Sequence, residues 1–202
     1  MLRELAQDLV DLIFDWGYAG IFLLMAVESS FIPFPSEIVL IPAGYLASQE
    51  KMSLPLVFLS GLGGSMVGAF INYYLAFFVG RHFLELYGKY FFISNAALDK
   101  MDNYFERHGH ISTFIGRLIP GIRQLISIPA GLAKMNIVQF SFFTAFGAGL
   151  WALVLTMLGY LLGENQELID TYLKQITIFV LCAVIIIAVV YYRHLKNKEV
   201  EQ

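Results

Sequence analysis

Charge is scarce in this chain, and so are the devices that small soluble domains use in place of a large core. Only 14% of its 202 residues are charged, against about 25% in an average soluble domain, and 58% are hydrophobic. Mean hydropathy is +0.68. A single cysteine, Cys182, lies inside an apolar run, which excludes a disulfide framework and a cysteine-based metal site. Thirteen Lys and Arg against sixteen Asp and Glu give a net charge of −3, without the basic excess of a nucleic-acid binder, so no nucleic-acid partner is expected. No Gly-Lys-Ser/Thr follows the glycines Gly61, Gly63, Gly64 and Gly68, so a phosphate loop is excluded and close helix packing is the better account of them. Neither apolar, proline-broken stretch described below contains a histidine. His82, His108, His110 and His194 all fall in flanking polar segments, and no metal or cofactor is expected.

What is present in excess is apolar sequence, in runs close to the ~20 residues that a helix needs to cross a bilayer. Residues 54–80, 137–163 and 173–192 read as transmembrane helices. Residues 1–16 carry one Arg against Glu4, Asp8, Asp11 and Asp15, unlike a signal peptide. Their leucines recur at helical spacing, as in an amphipathic helix lying at the interface or an outer helix packed on the bundle. Two further apolar stretches are broken by proline: residues 17–47 by Pro33, Pro35 and Pro42, and residues 111–133 by Pro120 and Pro129. Proline removes a backbone donor and kinks helices, and such backbone is tolerated at membrane depth only inside protein or beside a wet cavity. Both stretches therefore read as re-entrant hairpins.

The two hairpins resemble one another. An offset of 87 (residue 32 to residue 119) aligns Ile32, Pro33, Ile41, Pro42, Ala43 and Gly44 with Ile119, Pro120, Ile128, Pro129, Ala130 and Gly131. Each hairpin is followed by one span, so residues 17–80 and 111–163 are two repeats, and one crossing per repeat turns the second upside down. The expected fold is an all-α polytopic membrane protein: an inverted repeat of re-entrant hairpin plus transmembrane helix, with one further C-terminal transmembrane helix. Residues 81–110 form the connection, with Ser94 capping a helix that runs to about His108 and Gly109 as its stop. Placing this connection, Lys134 and the tail 193–202 in the cytoplasm puts eight basic residues inside and leaves Arg3, Lys51 and Lys174 outside, as the positive-inside rule favours.

Glu28 and Glu37 lie in the first hairpin and Arg117 and Arg123 in the second. Ionisable residues within membrane segments are costly and usually face an interior cavity, so these four are the candidate site. Arginine suits bidentate phosphate recognition, and a partly desolvated glutamate can carry a proton. A structural ion pair holding the hairpins together is the alternative meaning. The helix break at Ile119-Pro-Gly-Ile-Arg123 frees backbone amides that could also face an anion. Asn72, midway along the first span, reads as an interhelical hydrogen-bond donor.

The segments Glu28-Ser-Ser-Phe-Ile-Pro33-Phe-Pro35-Ser36-Glu37, Pro42-Ala-Gly44, Gly80-Arg81, Gly116-Arg117-Leu-Ile-Pro120-Gly121-Ile-Arg123 and Ala130-Gly131 resemble the DedA family of bacterial membrane proteins, related to the eukaryotic VTT proteins. The resemblance implies a multi-pass protein of the bacterial cytoplasmic (inner) membrane that moves undecaprenyl phosphate or a related phospholipid, with protons taking part and with Glu28, Glu37, Arg117 and Arg123 as functional residues. The expected function is thus a lipid transporter rather than an enzyme, with a polyprenyl phosphate and protons as partners; a homodimer is allowed without being required. A proton-coupled cation antiporter, an intramembrane lipid phosphatase using Ser36, and a non-transporting scaffold are the rival readings.

Overall fold

A computed structural model describes the backbone of residues 2–30, 35–80, 95–163 and 165–200, and side chains from residue 15 to residue 190 within those ranges, those of 95–98, 166, 170 and 188 excepted. Every regular element among the described residues is helical. They are α1 (Leu2–Glu28), α2 (Glu37–Ser48), α3 (Leu54–Leu75) running into a π-helical turn (Ala76–Gly80), α4 (Asn95–Leu118), α5 (Ser127–Leu132), α6 (Ile137–Leu162) and α7 (Gln166–Val200). Among the described residues three stretches are long and apolar enough to cross a membrane: Leu54–Gly80, Ile137–Leu162 and Glu167–Ile187. The third begins before residue 173, and α7 continues as helix through the basic residues that follow it.

Local chemistry explains the boundaries. Gly17, at φ 56° and ψ −130°, kinks α1 where the amphipathic segment meets the apolar one, a conformation that only glycine adopts without strain. The amphipathic stripe itself lies on side chains outside those described, as do Ser94, Arg81 and Pro33. Pro55 sits in the first turn of α3, where its missing amide costs nothing, and the Asn136 side chain caps α6 by accepting from the amides of Val138 at 2.9 Å and Gln139 at 3.3 Å. Helix α1 ends at Glu28 and α2 begins at Glu37; α4 ends at Leu118 and α5 begins at Ser127. The second break contains Pro120 and also Gly121, whose φ of +82° is the left-handed value expected at a turn.

Three expectations need correction. Pro42 does not interrupt the chain: it lies inside α2, where it only removes the amide that would bond to the Ile38 carbonyl. Pro129 falls in the first turn of α5, a position that needs no amide. Gly109 is not a helix stop, because α4 runs unbroken from Asn95 to Leu118 and joins the connection to the first arm of the second broken stretch. Gly109 is buried with Met135 and Phe105 within 3.2 Å of where a Cβ would stand, so it is a close-packing residue.

Packing exchanges partners between the halves. Helix α1 lies on α3 and α4 on α6, each within its own half, whereas α2 lies on α6 and α5 on α3, each across to the other half. The crossings are glycine contacts. A Cβ on Gly44 would overlap the backbone carbonyl of Thr156 and stand 3.1 Å from the Tyr160 amide; one on Gly131 would overlap the carbonyl of Tyr73. Gly44 and Gly131 are equivalent under the 87-residue offset, and so are Tyr73 and Tyr160. Around these crossings Ile21, Val39, Leu40, Val57 and Leu155 form one core, and Ala69, Ala130, Met135 and Phe140 another. The outward faces stay apolar, with Phe78, Val138, Phe142 and Phe179 exposed, as suits a lipid surround.

Because backbone cannot withdraw as a flexible side chain can, Gly44→Val and Gly131→Val are each expected to cost at least ~1–3 kcal/mol and to lower the unfolding temperature of the purified protein sharply. Gly17→Ala meets nothing within 4 Å and bears only the cost of its positive φ, about 1–3 kcal/mol. Equal loss on Gly17→Ala and Gly44→Val in thermal unfolding would refute the crossing contacts as the tighter constraint.

Candidate functional site

Two breaks in helices leave polar backbone that has to be satisfied inside the protein. Asn72 of α3 does so for both. Its side-chain amide nitrogen lies 3.1 Å from the carbonyls of Ser29 and Ser30 in the first break and 3.2 Å from that of Gln124 in the second. The expected interhelical donor is therefore a bond to broken backbone, and it holds the two breaks side by side.

Their charged residues meet there. Arg123 places Nη2 2.8 Å from Ser36 Oγ, 3.1 Å from Glu28 Oε1 and 3.7 Å from Glu37 Oε1. Its guanidinium carbon lies 5.3 Å from the centre of the Trp151 ring, a cation–π arrangement supplied by α6. Ser36 and Arg123 are themselves 87 residues apart, so the contact joins equivalent positions of the two halves. Glu28, almost wholly buried, also accepts a hydrogen bond from Gln124 Nε2 at 3.0 Å and one from Ser29 Oγ at 2.8 Å. Ser65 Oγ stands 3.1 Å behind Ser29.

Arg117, at the end of α4, is placed differently. It is 3% exposed, and its Nη2 donates to Ser127 Oγ at 2.7 Å. Among the described residues no carboxylate lies within ion-pair distance of it, and its Nε has no partner; the Nε of Arg123 is likewise unpartnered. Both arginines line one small cavity with Glu28, Ser29, Ser36, Ser65 and Trp151. Its free volume is about 20 Å³, room for one water and not for a phosphate group.

Of the other motif residues, Pro35 is exposed, while Gly44, Gly116 and Gly131 are buried at close contacts; a Cβ on Gly116 would crowd the Ile126 side chain. Pro120 and Gly121 form the exposed tip of the second break. Sequence reasoning missed Gln124, Trp151, Ser29, Ser65 and Ser127. The repeat held a signal for Gln124, which occupies the position of Glu37 under the same offset; the others carry none, since serine is ordinary in apolar helices and a single tryptophan there reads as packing.

Apolar helices closed around a cluster of two arginines and two glutamates, of which Glu28 and Arg117 are buried, define a membrane protein with an internal ionic site. The chain belongs to the VTT domain family, which matches residues 34–161, the family to which its DedA-like motifs point. It is 39% identical over 198 residues to the uncharacterized membrane protein YkoX of Bacillus subtilis, covering 98% of this chain and 88% of that one. Identity to undecaprenyl phosphate transporter A of Staphylococcus aureus is 32% over 190 residues, covering 92% and 93%. An alkaline phosphatase-like protein of Lactococcus lactis is 31% identical over 192 residues, covering 91% and 89%. No solved structure is a significant match.

Proposed function

We propose that this protein carries an anionic lipid phosphate, of the polyprenyl phosphate class, across the bacterial cytoplasmic membrane, and that protons moving down their gradient drive it. The observation that carries this reading is Arg117: a buried cation with no carboxylate within ion-pair distance among the described residues and a free Nε, facing the same cavity as Arg123. Keeping a buried cation out of direct ion-pair contact costs stability, so a site that does so is built for an anion that comes and goes. The relative named undecaprenyl phosphate transporter A, similar along nearly its whole length, supports the choice of cargo.

The reciprocal exchange of α2 and α5 between the halves supports an inverted repeat whose two broken stretches enter the membrane from opposite sides. The basic residues then set the C-terminus in the cytoplasm. Arg117 and Arg123 hold the phosphate; Glu28 and Glu37 neutralise them when it is absent. A cavity that accommodates one water is the closed form, so the breaks separate to admit a head group. One proton moving down a pH difference of one unit supplies about 1.4 kcal/mol, enough to bias the direction of flow roughly tenfold.

Purified protein reconstituted in liposomes with labelled undecaprenyl phosphate tests the proposal. The lipid is expected to change leaflet faster than in protein-free vesicles, and faster still with a proton gradient imposed. Folded protein that gives no acceleration refutes it, and release of inorganic phosphate from the lipid would establish the phosphatase reading instead.

A further inference from the structure

The two glutamates of the cluster are not equivalent, and the hydrogen atoms of Arg123 show why. Nη2 carries two hydrogens but faces three acceptors, Ser36 Oγ at 2.8 Å, Glu28 Oε1 at 3.1 Å and Glu37 Oε1 at 3.7 Å. The two nearer acceptors can each take one. The third distance lies beyond hydrogen-bond range, so Glu37 is held by charge alone.

Glu28 is the opposite case. Oε1 accepts from Arg123 and Gln124, which uses both of its lone pairs, and Oε2 accepts from Ser29. Its side chain is 3% exposed and lines the cavity, whereas that of Glu37 is 24% exposed and does not. Three donors stabilise the ionised form of Glu28, and neutralising it would weaken all three charge-assisted bonds. Glu37 can gain or lose a proton without breaking any side-chain hydrogen bond.

Resting on the transport reading above, we infer that Glu37 alone exchanges the coupling proton, while Glu28 stays ionised throughout as the permanent counter-ion of Arg123. With two arginines and two carboxylates the cluster is formally neutral. An arriving phosphate monoester takes hydrogens from Arg123 and Arg117 and adds at least one negative charge. Glu37 then loses its counter-charge and binds a proton from water, forming an O–H bond on its carboxyl group and returning the cluster with its monoanionic cargo to neutrality. When the phosphate leaves, Arg123 again faces Glu37, and that O–H bond breaks to release the proton to water on the other side. The coupling is one proton for one phosphate monoanion. The charged groups facing Glu37 are Arg123 from the second break, with Glu28 of α1 and Arg117 of α4 behind it. Helices α3 and α6 present Ser65, Asn72 and Trp151 to the cluster, none of which titrates in the working range.

Infrared difference spectroscopy of the full chain in lipid nanodiscs, with inorganic phosphate as the probe, tests this without requiring transport. Phosphate is expected to raise a protonated-carboxyl band in the unmodified protein and, at the same frequency, in Glu28→Asp, which keeps the negative charge beside Arg123. The band is expected to be absent in Glu37→Gln. A band that persists in Glu37→Gln, or that shifts in frequency in Glu28→Asp, overturns the assignment, as does the lack of any band in the unmodified protein at saturating phosphate. In proteoliposomes carrying labelled undecaprenyl phosphate, Glu37→Gln should flatten the pH profile of lipid movement and abolish the accompanying proton uptake, at a lowered rate. If the unmodified protein moves no lipid but the band behaves as stated, the transport reading fails and the division between the two acids stands.

Discussion

Arg123→Lys is expected to insert and fold, yet to lose most lipid-phosphate transport. The substitution keeps the charge that Glu28 needs at 3.1 Å, so the cluster stays neutral and the bundle closes. What it removes is the planar fork. The guanidinium bonds Ser36 and Glu28 through one nitrogen while its carbon lies 5.3 Å from the centre of the Trp151 ring and its Nε remains free for another acceptor. An ammonium is a compact, strongly hydrated point charge that cannot grip two phosphate oxygens in a plane. Losing one charge-assisted hydrogen bond of ~1.5–3 kcal/mol predicts roughly ten- to hundredfold weaker handling of the lipid in liposomes. Arg123→Met goes further. It strands Glu28 in a buried site without its counter-charge, and the expected penalty of ~3–5 kcal/mol should appear as a lowered unfolding temperature. Full transport by Arg123→Lys in vesicles of matched protein content would reduce Arg123 to a counter-charge for the two acids.

Much of the architecture could be read from the sequence because prolines and charges are rare in it, and rare residues are informative in proportion. The breaks announced themselves through Pro33, Pro35 and Pro120, and the 87-residue offset through the paired Pro-Ala-Gly motifs. What stayed illegible depends on position within a helix. Pro42 and Pro129 look like breakers in one dimension, but a proline in a first turn is harmless and one at mid-helix can be held by packing, here by α2 lying on α6. Gly109 resembles a stop because glycine often ends helices; whether it is one depends on the Met135 side chain that crowds it, a contact from 26 residues further along the chain. The site divides along the same line. Its four ionisable residues stand out against apolar sequence, whereas the choice of partners does not: that Arg123 takes both acids while Arg117 is left with a serine is decided by how the two breaks dock on Asn72.

That unequal sharing makes the two arginines predictably different in stability as well as function. Arg117→Met is expected to leave the unfolding temperature unchanged or raised while abolishing lipid transport. The side chain is 3% exposed, its one described hydrogen bond goes to Ser127 at 2.7 Å, and no carboxylate is within ion-pair distance among the described residues. Methionine follows the same unbranched path past Gly147, against which the Arg117 stem packs, and fills the space without a charge to desolvate. Removing a buried charge that has no direct ion pair spares its desolvation penalty of several kcal/mol, which offsets the ~1.5–3 kcal/mol hydrogen bond given up. The phosphate, by contrast, loses one of its two cations. Tryptophan-fluorescence melting of Arg117→Met beside Arg123→Met reads the difference directly: the first should melt at or above the unmodified protein and the second well below it, with both inactive in the lipid assay. If Arg117→Met unfolds as readily as Arg123→Met, Arg117 is an architectural cation, and the anion that its free Nε awaits has to be sought elsewhere.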